Sequence, residues 1–313
     1  MTDAVEEFLA GGKRLRAGFC FWGHLGGGGA DDEAVVTAAA SLELFQACAI
    51  IHDDVMDGSA TRRGQPAVHC RFADLHTASA WQGDPEAFGR GAAILLGDLC
   101  LAWSEEMLAG SGLANPAARA VFDVMRAELM GGQYLDLLEQ VSGQSTVASA
   151  LRVATYKSAK YTVVEPLHLG AALAGAPPEV FDTYTAYGMP LGVAFQLRDD
   201  VLGVFGDPSV TGKPAGDDLR EGKRTVLVAM ALETATPAQQ ELVRRHLGDP
   251  CLDEAGVAAL REVLTSTGAV GRVEDMIETR TAQALAALDG APVGEEALQV
   301  LRELADAATA RSH

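Results

Sequence analysis

Residues 47–64 read ACAIIHDDVMDGSATRRG, an apolar run that leads into clustered charges. The charged side chains are three carboxylates and then two guanidinium groups: Asp53, Asp54, Asp57, Arg62 and Arg63. Residues four apart on a helix share a face, so Asp53 and Asp57 are predicted to project side by side and to repel each other unless a cation lies between them. Taken alone, the pattern fits a solvated helix end with an acidic cap. It also fits a magnesium–diphosphate site, because Mg²⁺ takes one or two carboxylates and completes its shell with water and phosphate oxygens.

A second acidic pair repeats this arrangement about 145 residues further along the chain. Residues 195–200 read FQLRDD, so Asp199 and Asp200 again end an apolar helical segment, and Lys213 and Lys223 follow. Two acidic clusters of this kind, each at the end of an apolar helix and each followed by basic residues, are hard to explain as surface decoration. Facing each other across a helical bundle, they would hold several Mg²⁺ ions above an apolar shaft. The repeat therefore predicts a site that ionises a diphosphate.

Further motifs in a fixed order extend the pattern over nearly the whole chain. They are GGKRLR at 11–16, DDVMD at 53–57, RRG at 62–64, YKSAKYT at 156–162, FQLRDD at 195–200, TGK at 211–213 and EGKRT at 221–225. On these residues the chain resembles the trans-isoprenyl diphosphate synthases, or polyprenyl synthetases, of the geranylgeranyl diphosphate synthase type. The resemblance implies an isoprenoid synthase-like fold, a single-domain bundle of roughly ten or more helices around a deep central cavity.

Composition favours an all-α protein on separate grounds. Ala-rich stretches with a 3.6-residue period dominate, alternating strand patterns are hard to find, and residues 1–313 are predicted to form one domain. Three polar, Gly-marked stretches are predicted as loops: 58–70, 73–90, and 206–224 as a candidate lid over the diphosphates.

The five scattered cysteines favour a reduced, cytoplasmic protein. Neither a signal peptide nor stable membrane insertion is expected, because no basic n-region and no run of about 20 uncharged apolar residues occurs.

The charge distribution favours an anionic ligand at one site. A net charge of −19 argues against nucleic acid or an anionic membrane surface as a partner. Against this acidic background the chain has five lysines, and each lies in a stretch already singled out: Lys13, Lys157, Lys160, Lys213 and Lys223. A solvated surface would scatter them.

The resemblance implies a role for each acidic residue. The ligands of about three Mg²⁺ ions would be Asp53, Asp57 and Asp199, oriented by their neighbours Asp54 and Asp200. Gly203 stands where the second motif often has a third aspartate. A water molecule could fill that place, and Asp207 is the nearest carboxylate along the chain that could substitute.

The resemblance also divides the other polar residues between two diphosphates. Isopentenyl diphosphate would be bound by Lys13, Arg16, Gln46 and Arg63. The allylic diphosphate would be bound by Arg62, Lys157, Ser158, Gln196, Lys213 and Lys223. The residues implied in catalysis are Asp53, Asp57, Lys157, Gln196, Asp199 and Lys213. No site role is expected for three others: Arg14 as a structural residue, Lys160 as a rim charge and His52 as a packed helix residue.

The implied reaction is a 1'-4 head-to-tail condensation. Mg²⁺ and the basic side chains stabilise the departing diphosphate, so the allylic C1–O bond ionises. The double bond of isopentenyl diphosphate attacks the allylic cation, and proton loss to the released diphosphate leaves a longer trans product. No side-chain general base is needed, and an apolar cavity protects the cation from water.

Product length is predicted from the helix below Asp53. The residues at −4, −5 and −8 face down the shaft, and here they are Ala49, Cys48 and Phe45. In the family that the chain resembles, aromatic groups at −4 or −5 stop growth at fifteen carbons. Here the first large side chain is Phe45, roughly 12 Å below Asp53 at about 1.5 Å per residue. We therefore expect geranylgeranyl diphosphate, with farnesyl and products of twenty-five carbons or more as the alternatives.

Two other activities would use parts of the same pattern. A class I terpene cyclase shares the DDxxD motif, but it binds one diphosphate, and FQLRDD stands where an NSE-type motif is expected. A non-catalytic prenyl-diphosphate-binding subunit usually loses an acidic motif, and both are present here. The resemblance further implies a homodimer and an additional N-terminal helix, which is expected to be short or missing here because only ten residues precede Gly11.

Overall fold

A computed structural model describes residues 1–143, 145–207, 216–249 and 251–310. These residues are mostly helical, which confirms the all-α prediction, and their only strands form a hairpin of two residues on each side, β1 (Thr61–Arg62) and β2 (Gln65–Pro66). Contacts divide the chain into two compact units: Met1–Gly18 with Asp31–Ala114, and Phe19–Ala30 with Asn115–His313. The single-domain organisation stays a prediction.

The first unit is built around two long helices. Its helices are α1 (Thr2–Leu9), α3 (Glu33–Asp57), α4 (Val68–Ala78) and α5 (Pro85–Gly110), and α2 (Leu15–Gly26) spans the boundary with the second unit. α3 and α5 pack together over a core that includes Ile51 and Leu96. α3 is long and apolar enough to cross a membrane by composition alone, but 56% of its most apolar window is buried inside the protein.

Capping residues set both ends of α3. Asp32 is the N-cap, and its Oδ1 accepts a hydrogen bond from the Val35 amide at 3.1 Å. Gly58, with φ of 66°, ends the helix directly after Asp57 in the left-handed conformation that glycine adopts readily. The acidic motif therefore occupies the last two turns.

α4 corrects the loop predictions for 58–70 and 73–90. The hairpin and the first turn of α4 lie in the first stretch, and the helix continues to Ala78 in the second. Val68 and Phe72 of α4 pack into the core beside α5, and Gly89 lets α5 approach the carbonyl of His69 closely. Its apolar residues are interrupted by His69, Arg71, Asp74 and His76, so the helix depends on this packing more than on a periodic sequence signal.

The second unit contains the remaining helices. They are α6 (Pro116–Ser142), α7 (Val147–Val153), a π-helical segment (Ala154–Val164), α8 (Glu165–Ala174), α9 (Pro178–Phe205), α10 (Asp217–Arg220), α11 (Val226–Thr234), α12 (Pro237–His246), α13 (Glu254–Ser266), α14 (Ala269–Ala286) and α15 (Glu295–Thr309). α7, the π-helical segment and α8 follow one another without a break and form one continuous helical element over residues 147–174.

The π-helical segment is packed tightly between α6 and α9. A side chain on Gly132 of α6 would overlap the backbone of Lys157, and one on Gly192 of α9 would lie 2.5 Å from the Cα of Ala159. Only glycine permits so close an approach of the three backbones. π-helical turns occur often at functional sites, and this one carries the YKS motif.

Candidate active site

The first acidic motif lies partly buried at the end of α3. Asp53 and Asp57 are one turn apart and partly buried as residues, both carboxylate oxygens of Asp57 are buried, and Asp54 is buried entirely. The Arg62 guanidinium hydrogen-bonds to Asp54, with Nε 2.8 Å from Oδ1, and its Nη2 lies 3.6 Å from Asp53 Oδ2. Asp54 therefore orients Arg62 beside Asp53. The orienting role toward the metal ligands that the resemblance implies for Asp54 stays a prediction.

Arg63 is held in a conformation that few residues other than glycine adopt. Arg63 and Gly64, with φ of 53° and 74°, form the two-residue turn of the β hairpin. The Arg63 side chain lies against the Gly11–Gly12 backbone, where a Cβ on Gly12 would be 3.0 Å from Nη2, and its Nη1 donates to the Phe8 carbonyl at 3.2 Å. These contacts place it next to the GGKRLR motif.

Several cations gather around Arg63. Burial first, and then the neighbouring Arg14, Arg62 and Arg16, lower the pKa of the Arg63 guanidinium, against an opposing effect of Glu43. Neighbouring guanidinium groups repel each other, and an anion bound among them would reduce this repulsion.

Within the N-terminal basic motif, Arg14 has a structural role, and the site roles of Lys13 and Arg16 stay predictions. Arg14 pairs with Glu43 at 2.8 Å and donates to the Leu9 carbonyl, which gives it the structural role expected. Lys13 is exposed and Arg16 is partly exposed. Gln46, seven residues before Asp53, lies within about 20° of it around α3, on the same face of the helix.

In the second unit a chain of hydrogen bonds joins three predicted site residues. Ser158 of the π-helical segment donates to Gln196 Oε1, and Gln196 Nε2 donates to Asp200 Oδ1 at 2.6 Å. Asp200 is buried, whereas its neighbour Asp199 is exposed. The two aspartates therefore differ as the sequence predicted, with one facing solvent and one held by other side chains.

Negative charge accumulates around the second acidic motif. Burial raises the pKa of Asp200 to about 8; the Gln196 hydrogen bond and Lys223 oppose this shift, while Asp218 and Asp199 add to it. A cation at this place would relieve the repulsion among the three carboxylates.

Asp218 takes the space that a third aspartate of the motif would use. A Cβ on Gly203 would overlap the Asp218 carboxylate, so side chains at both positions compete for one place. This finding corrects the expectation that water or Asp207 would substitute. Asp218 precedes Lys223, whose Nζ lies 3.4 Å from its Oδ1 and 2.6 Å from Glu221 Oε2.

The lysines of the predicted allylic site differ in their surroundings. Lys157 Nζ bonds to Asp136 of α6 at 2.7 Å, which fixes its side chain beside the π-helical segment. Lys160 pairs with Glu128 and lies 5.2 Å from the centre of the Tyr156 ring, a partly exposed place that suits the rim charge predicted for it. Residues 208–215 of the candidate lid, which include Lys213, lie outside the described residues.

The match to a protein family decides how these features are interpreted. The model of the polyprenyl synthetase family matches residues 1–264. The chain belongs to this family. It is therefore a prenyl diphosphate synthase, an enzyme of isoprenoid biosynthesis that transfers prenyl groups.

Similar proteins agree on the family and differ in product. A geranylfarnesyl diphosphate synthase from Aeropyrum pernix is 33% identical over 97% of this chain and 91% of its own length. A geranylgeranyl diphosphate synthase from Mycobacterium tuberculosis is 34% identical over 93% of this chain and 78% of its own. The structure is also similar to the geranylgeranyl pyrophosphate synthase from Corynebacterium glutamicum complexed with isoprenyl diphosphate and magnesium, with a TM-score of 0.96, 44% identity and coverage of 99% and 91% of the two chains.

The donor set of this polyprenyl synthetase fits Mg²⁺ held together with a diphosphate. Among the residues that the structure describes, no group of three or more His, Cys, Asp or Glu side chains could hold a metal ion by itself. Mg²⁺ does not need such a group, because it prefers oxygen ligands and uses few of them from protein when phosphate is present. Asp53 and Asp57 on α3, and Asp199 with Asp218 near Asp200, have carboxylate oxygens of that kind.

Two residues near the predicted site residues lie outside the sequence motifs and were not predicted: Asp218 and Asp136. Asp218 is fifteen residues beyond Gly203, and only the adjacent acidic pair in GDDLREGK, before Lys223, marks it in the sequence. Asp136 lies in α6 without any motif, and its contact with Lys157 depends on helix packing. The two acidic motifs lie in different units, so their predicted meeting stays a prediction.

The residues predicted to end the product cavity lie on α3 as expected. Phe45 and Cys48 are buried with 1% and 3% of their surface exposed, and Ala49 is partly exposed. Cys48 lies 3.7 Å from His52 Nδ1, and the His52 ring fills the space left by Gly97 of α5. His52 is therefore a packed helix residue, as predicted.

Proposed function

We propose that this polyprenyl synthetase condenses an allylic prenyl diphosphate with isopentenyl diphosphate in a Mg²⁺-dependent, 1'-4 head-to-tail reaction, and that its main product is geranylgeranyl diphosphate. The observation that carries the proposal is the placement of Arg62 beside Asp53, with Arg63 and its neighbouring guanidinium groups next to Arg62. Carboxylates and guanidinium groups together suit a metal–diphosphate complex, whereas either set alone would repel one of its parts.

The protein's side chains would act mainly by binding and orienting the two diphosphates. Lys13, Arg16, Gln46 and Arg63 would hold isopentenyl diphosphate so that its double bond faces the allylic C1. The allylic diphosphate would be bound by Arg62, Lys157, Ser158, Gln196, Lys213 and Lys223. Their positive charges would stabilise the departing diphosphate as the C1–O bond breaks.

Magnesium would be held by Asp53, Asp57 and Asp199, with about three ions bound in the family's manner. When bound, Mg²⁺ would neutralise and polarise the departing diphosphate. Asp54 would orient Arg62, and the Ser158–Gln196–Asp200 hydrogen bonds would fix the polar groups next to Asp199. No side chain needs to act as a general base, because the released diphosphate can accept the proton.

Product length is proposed from the floor of the cavity. Two small residues below Asp53, Ala49 and Cys48, leave room for a growing chain, and the buried Phe45 is the first large side chain on that face. Its depth, roughly 12 Å at about 1.5 Å per residue, suits twenty carbons better than fifteen.

Self-association and location are also part of the proposal. Met130, Tyr134, Leu138 and Val141 of α6 are exposed and follow one face at intervals of three or four residues. A contiguous apolar stripe of this kind suits a protein interface, and we propose a homodimer. The scattered cysteines, all unpaired, are in keeping with a cytoplasmic enzyme.

One experiment tests the activity and the product together. The protein is incubated with Mg²⁺, isopentenyl diphosphate and, in separate reactions, allylic diphosphates of five, ten and fifteen carbons, and the dephosphorylated products are sized by chromatography. We expect a ladder that ends at twenty carbons, and loss of all products in the isosteric variant Asp53→Asn. Cyclic hydrocarbons formed without isopentenyl diphosphate, or no product from any primer, would refute the proposal.

A further inference from the structure

A face of α9 other than that of its acidic motif is bonded to the last two helices of the chain. Arg198, which directly precedes Asp199, is buried. Its Nη1 and Nη2 donate to the two carboxylate oxygens of Glu274 in α14 at 2.6 and 2.9 Å. Its Nε donates to the Thr309 carbonyl at the end of α15 at 3.1 Å. Two helices therefore fix one planar guanidinium group.

A second side chain on the same face of α9 makes a similar contact. Eleven residues separate Tyr187 from Arg198, and eleven steps of 100° bring a helix to within about 20° of its starting direction. The buried Tyr187 hydroxyl donates to the Leu301 carbonyl of α15 at 2.6 Å. α9 is thus bonded to the backbone of α15 at two points about three turns apart.

Arg198 projects from a different face of α9 than the acidic motif. If the direction of Arg198 around the helix is taken as 0°, Asp199 lies at about 100°, Gln196 at about 160° and Asp200 at about 200°. Side-chain oxygens lie about 6 Å from a helix axis, so a rotation of about 10° moves them by about 1 Å. A displacement of that size is enough to reduce activity on the order of 100-fold when reacting groups must align.

We propose that Arg198 is a positioning residue. Through Glu274 and the end of α15, it fixes the rotation of α9 and so places Asp199 and Asp200 for binding the metal–diphosphate complex. This inference rests on the proposed function and deepens it. By this inference α14 and α15 help to position the acidic motif of α9. Both helices follow residue 264, where the match to the family model ends.

The chemistry of the contact suits positioning more than simple stabilisation. A bidentate guanidinium–carboxylate pair fixes the direction of both groups, which a point charge cannot do. Lysine at position 198 would keep the charge and lose the fork, and glutamine at position 274 would keep the shape and lose the charge. Both substitutions therefore loosen the orientation of α9 while they leave a polar group in each place.

The test measures metal binding without turnover. Mn²⁺ binding in the presence of inorganic diphosphate is followed by electron paramagnetic resonance in wild type, Arg198→Lys and Glu274→Gln, with circular dichroism to confirm folding. Arg272→Lys is the matched control, because Arg272 is also in α14 but pairs with Glu233 and the Met230 carbonyl of α11. Steady-state kinetics with both substrates complete the set.

We expect Mn²⁺ affinity to fall about 10- to 100-fold in Arg198→Lys and Glu274→Gln, with a parallel fall in kcat. The KM for isopentenyl diphosphate should stay within about twofold, since its proposed ligands lie in the other unit. Arg272→Lys should behave as wild type. If Arg198→Lys does not fold, Glu274→Gln decides the test.

Unchanged Mn²⁺ affinity in the folded variants of an active enzyme would overturn this inference and leave the proposed function intact. An equal loss in Arg272→Lys would overturn it as well, because the effect would then be one of general stability. A wild-type protein that forms no prenyl product would overturn the proposed function and the inference together.

Discussion

Arg63 combines an unfavourable backbone conformation with an unfavourable electrostatic position. Its φ of 53° costs stability on the order of 1 kcal/mol, and burial and the neighbouring guanidinium groups lower the pKa of its own guanidinium group. Neither is expected at a residue that only supports the fold. The residue therefore fits a place where an anion, here isopentenyl diphosphate, supplies the missing negative charge.

Arg63→Gly tests this assignment without adding strain, because glycine adopts positive φ freely. We expect the KM for isopentenyl diphosphate to rise at least about tenfold, with the KM for the allylic substrate within about twofold. Arg71→Ala is the control, since Arg71 pairs with Glu7 in the same unit and has no proposed site role. Initial rates at varied concentrations of each substrate measure both constants. An equal rise in the two constants would refute the division of the basic residues.

The absence of a side chain at Gly203 leaves the space that the Asp218 carboxylate occupies. Because a side chain at position 203 would occupy the place of the Asp218 carboxylate, Gly203→Asp should bring two carboxylates into conflict and lower kcat at least about tenfold. In the double variant Gly203→Asp, Asp218→Gly, the carboxylate is carried by residue 203 of α9 and no longer by residue 218. It occupies about the same space, so the double variant should recover most of the lost kcat. Turnover of the two variants beside wild type measures the effect.

Gly203→Ala separates crowding from charge in that experiment. It adds a methyl group in the same place without a second carboxylate, so its loss should be smaller than that of Gly203→Asp. A double variant no better than Gly203→Asp would mean that the two positions act independently and that Asp218 does not replace the missing aspartate.

At the scale of elements, the π-helical segment and α8 bring a buried acid close to an ion pair. Burial first, and then Glu128, raise the pKa of Glu165 to about 7, while Lys160 lowers it. A carboxyl group whose pKa is higher in the folded protein keeps a proton that the unfolded chain releases. Folding stability from this group is therefore present below about pH 4.5 and is lost as the pH rises toward 7.

Glu165→Gln should remove this pH dependence. Relative to wild type, the variant should gain on the order of 1–3 kcal/mol in free energy of unfolding at pH 8 and almost nothing at pH 4.5, because glutamine resembles the protonated acid. Urea unfolding at both pH values measures the difference. A gain that is the same at both values would show that packing, and not titration, is responsible.

α3 carries a second prediction at this scale. Phe45→Ala should deepen the cavity below Asp53 and shift the longest product beyond twenty carbons, because the side chain removed is the proposed floor. Phe122→Ala, which removes a buried ring from α6, is a control for general loosening of the core. Chromatography of the dephosphorylated products measures the chain length that each variant makes. An unchanged product from Phe45→Ala would place the floor on another helix.

The elements also show where sequence reasoning succeeds and where it stops. Helix ends at Asp32, Pro116 and Pro178 were predictable because caps and prolines are local signals. α4 was missed because it is stabilised by packing on α5, and Asp218 was missed because its place is set by a turn that the sequence does not encode locally. The residues of the motifs were predictable, whereas the partners that orient them were not.

The whole molecule distributes its chemistry over two units, each with one acidic motif and its own cations. The first unit holds Asp53 and Asp57 with the Arg63 cluster, and the second holds Asp199 with the Ser158–Gln196–Asp200 hydrogen bonds. Catalysis as proposed needs residues of both units.

The exposed stripe on α6 makes self-association testable. Tyr134 and Val141 are 65% and 82% exposed, and a double substitution Tyr134→Glu, Leu138→Glu would place two charges in the proposed interface. We expect light scattering to give twice the 32.7 kDa chain mass for wild type and the single-chain mass for the variant. Ala117→Glu adds a charge elsewhere on α6, about 100° around the helix from Tyr134, and should leave the dimer intact. A variant that still has twice the chain mass would exclude this stripe as the interface.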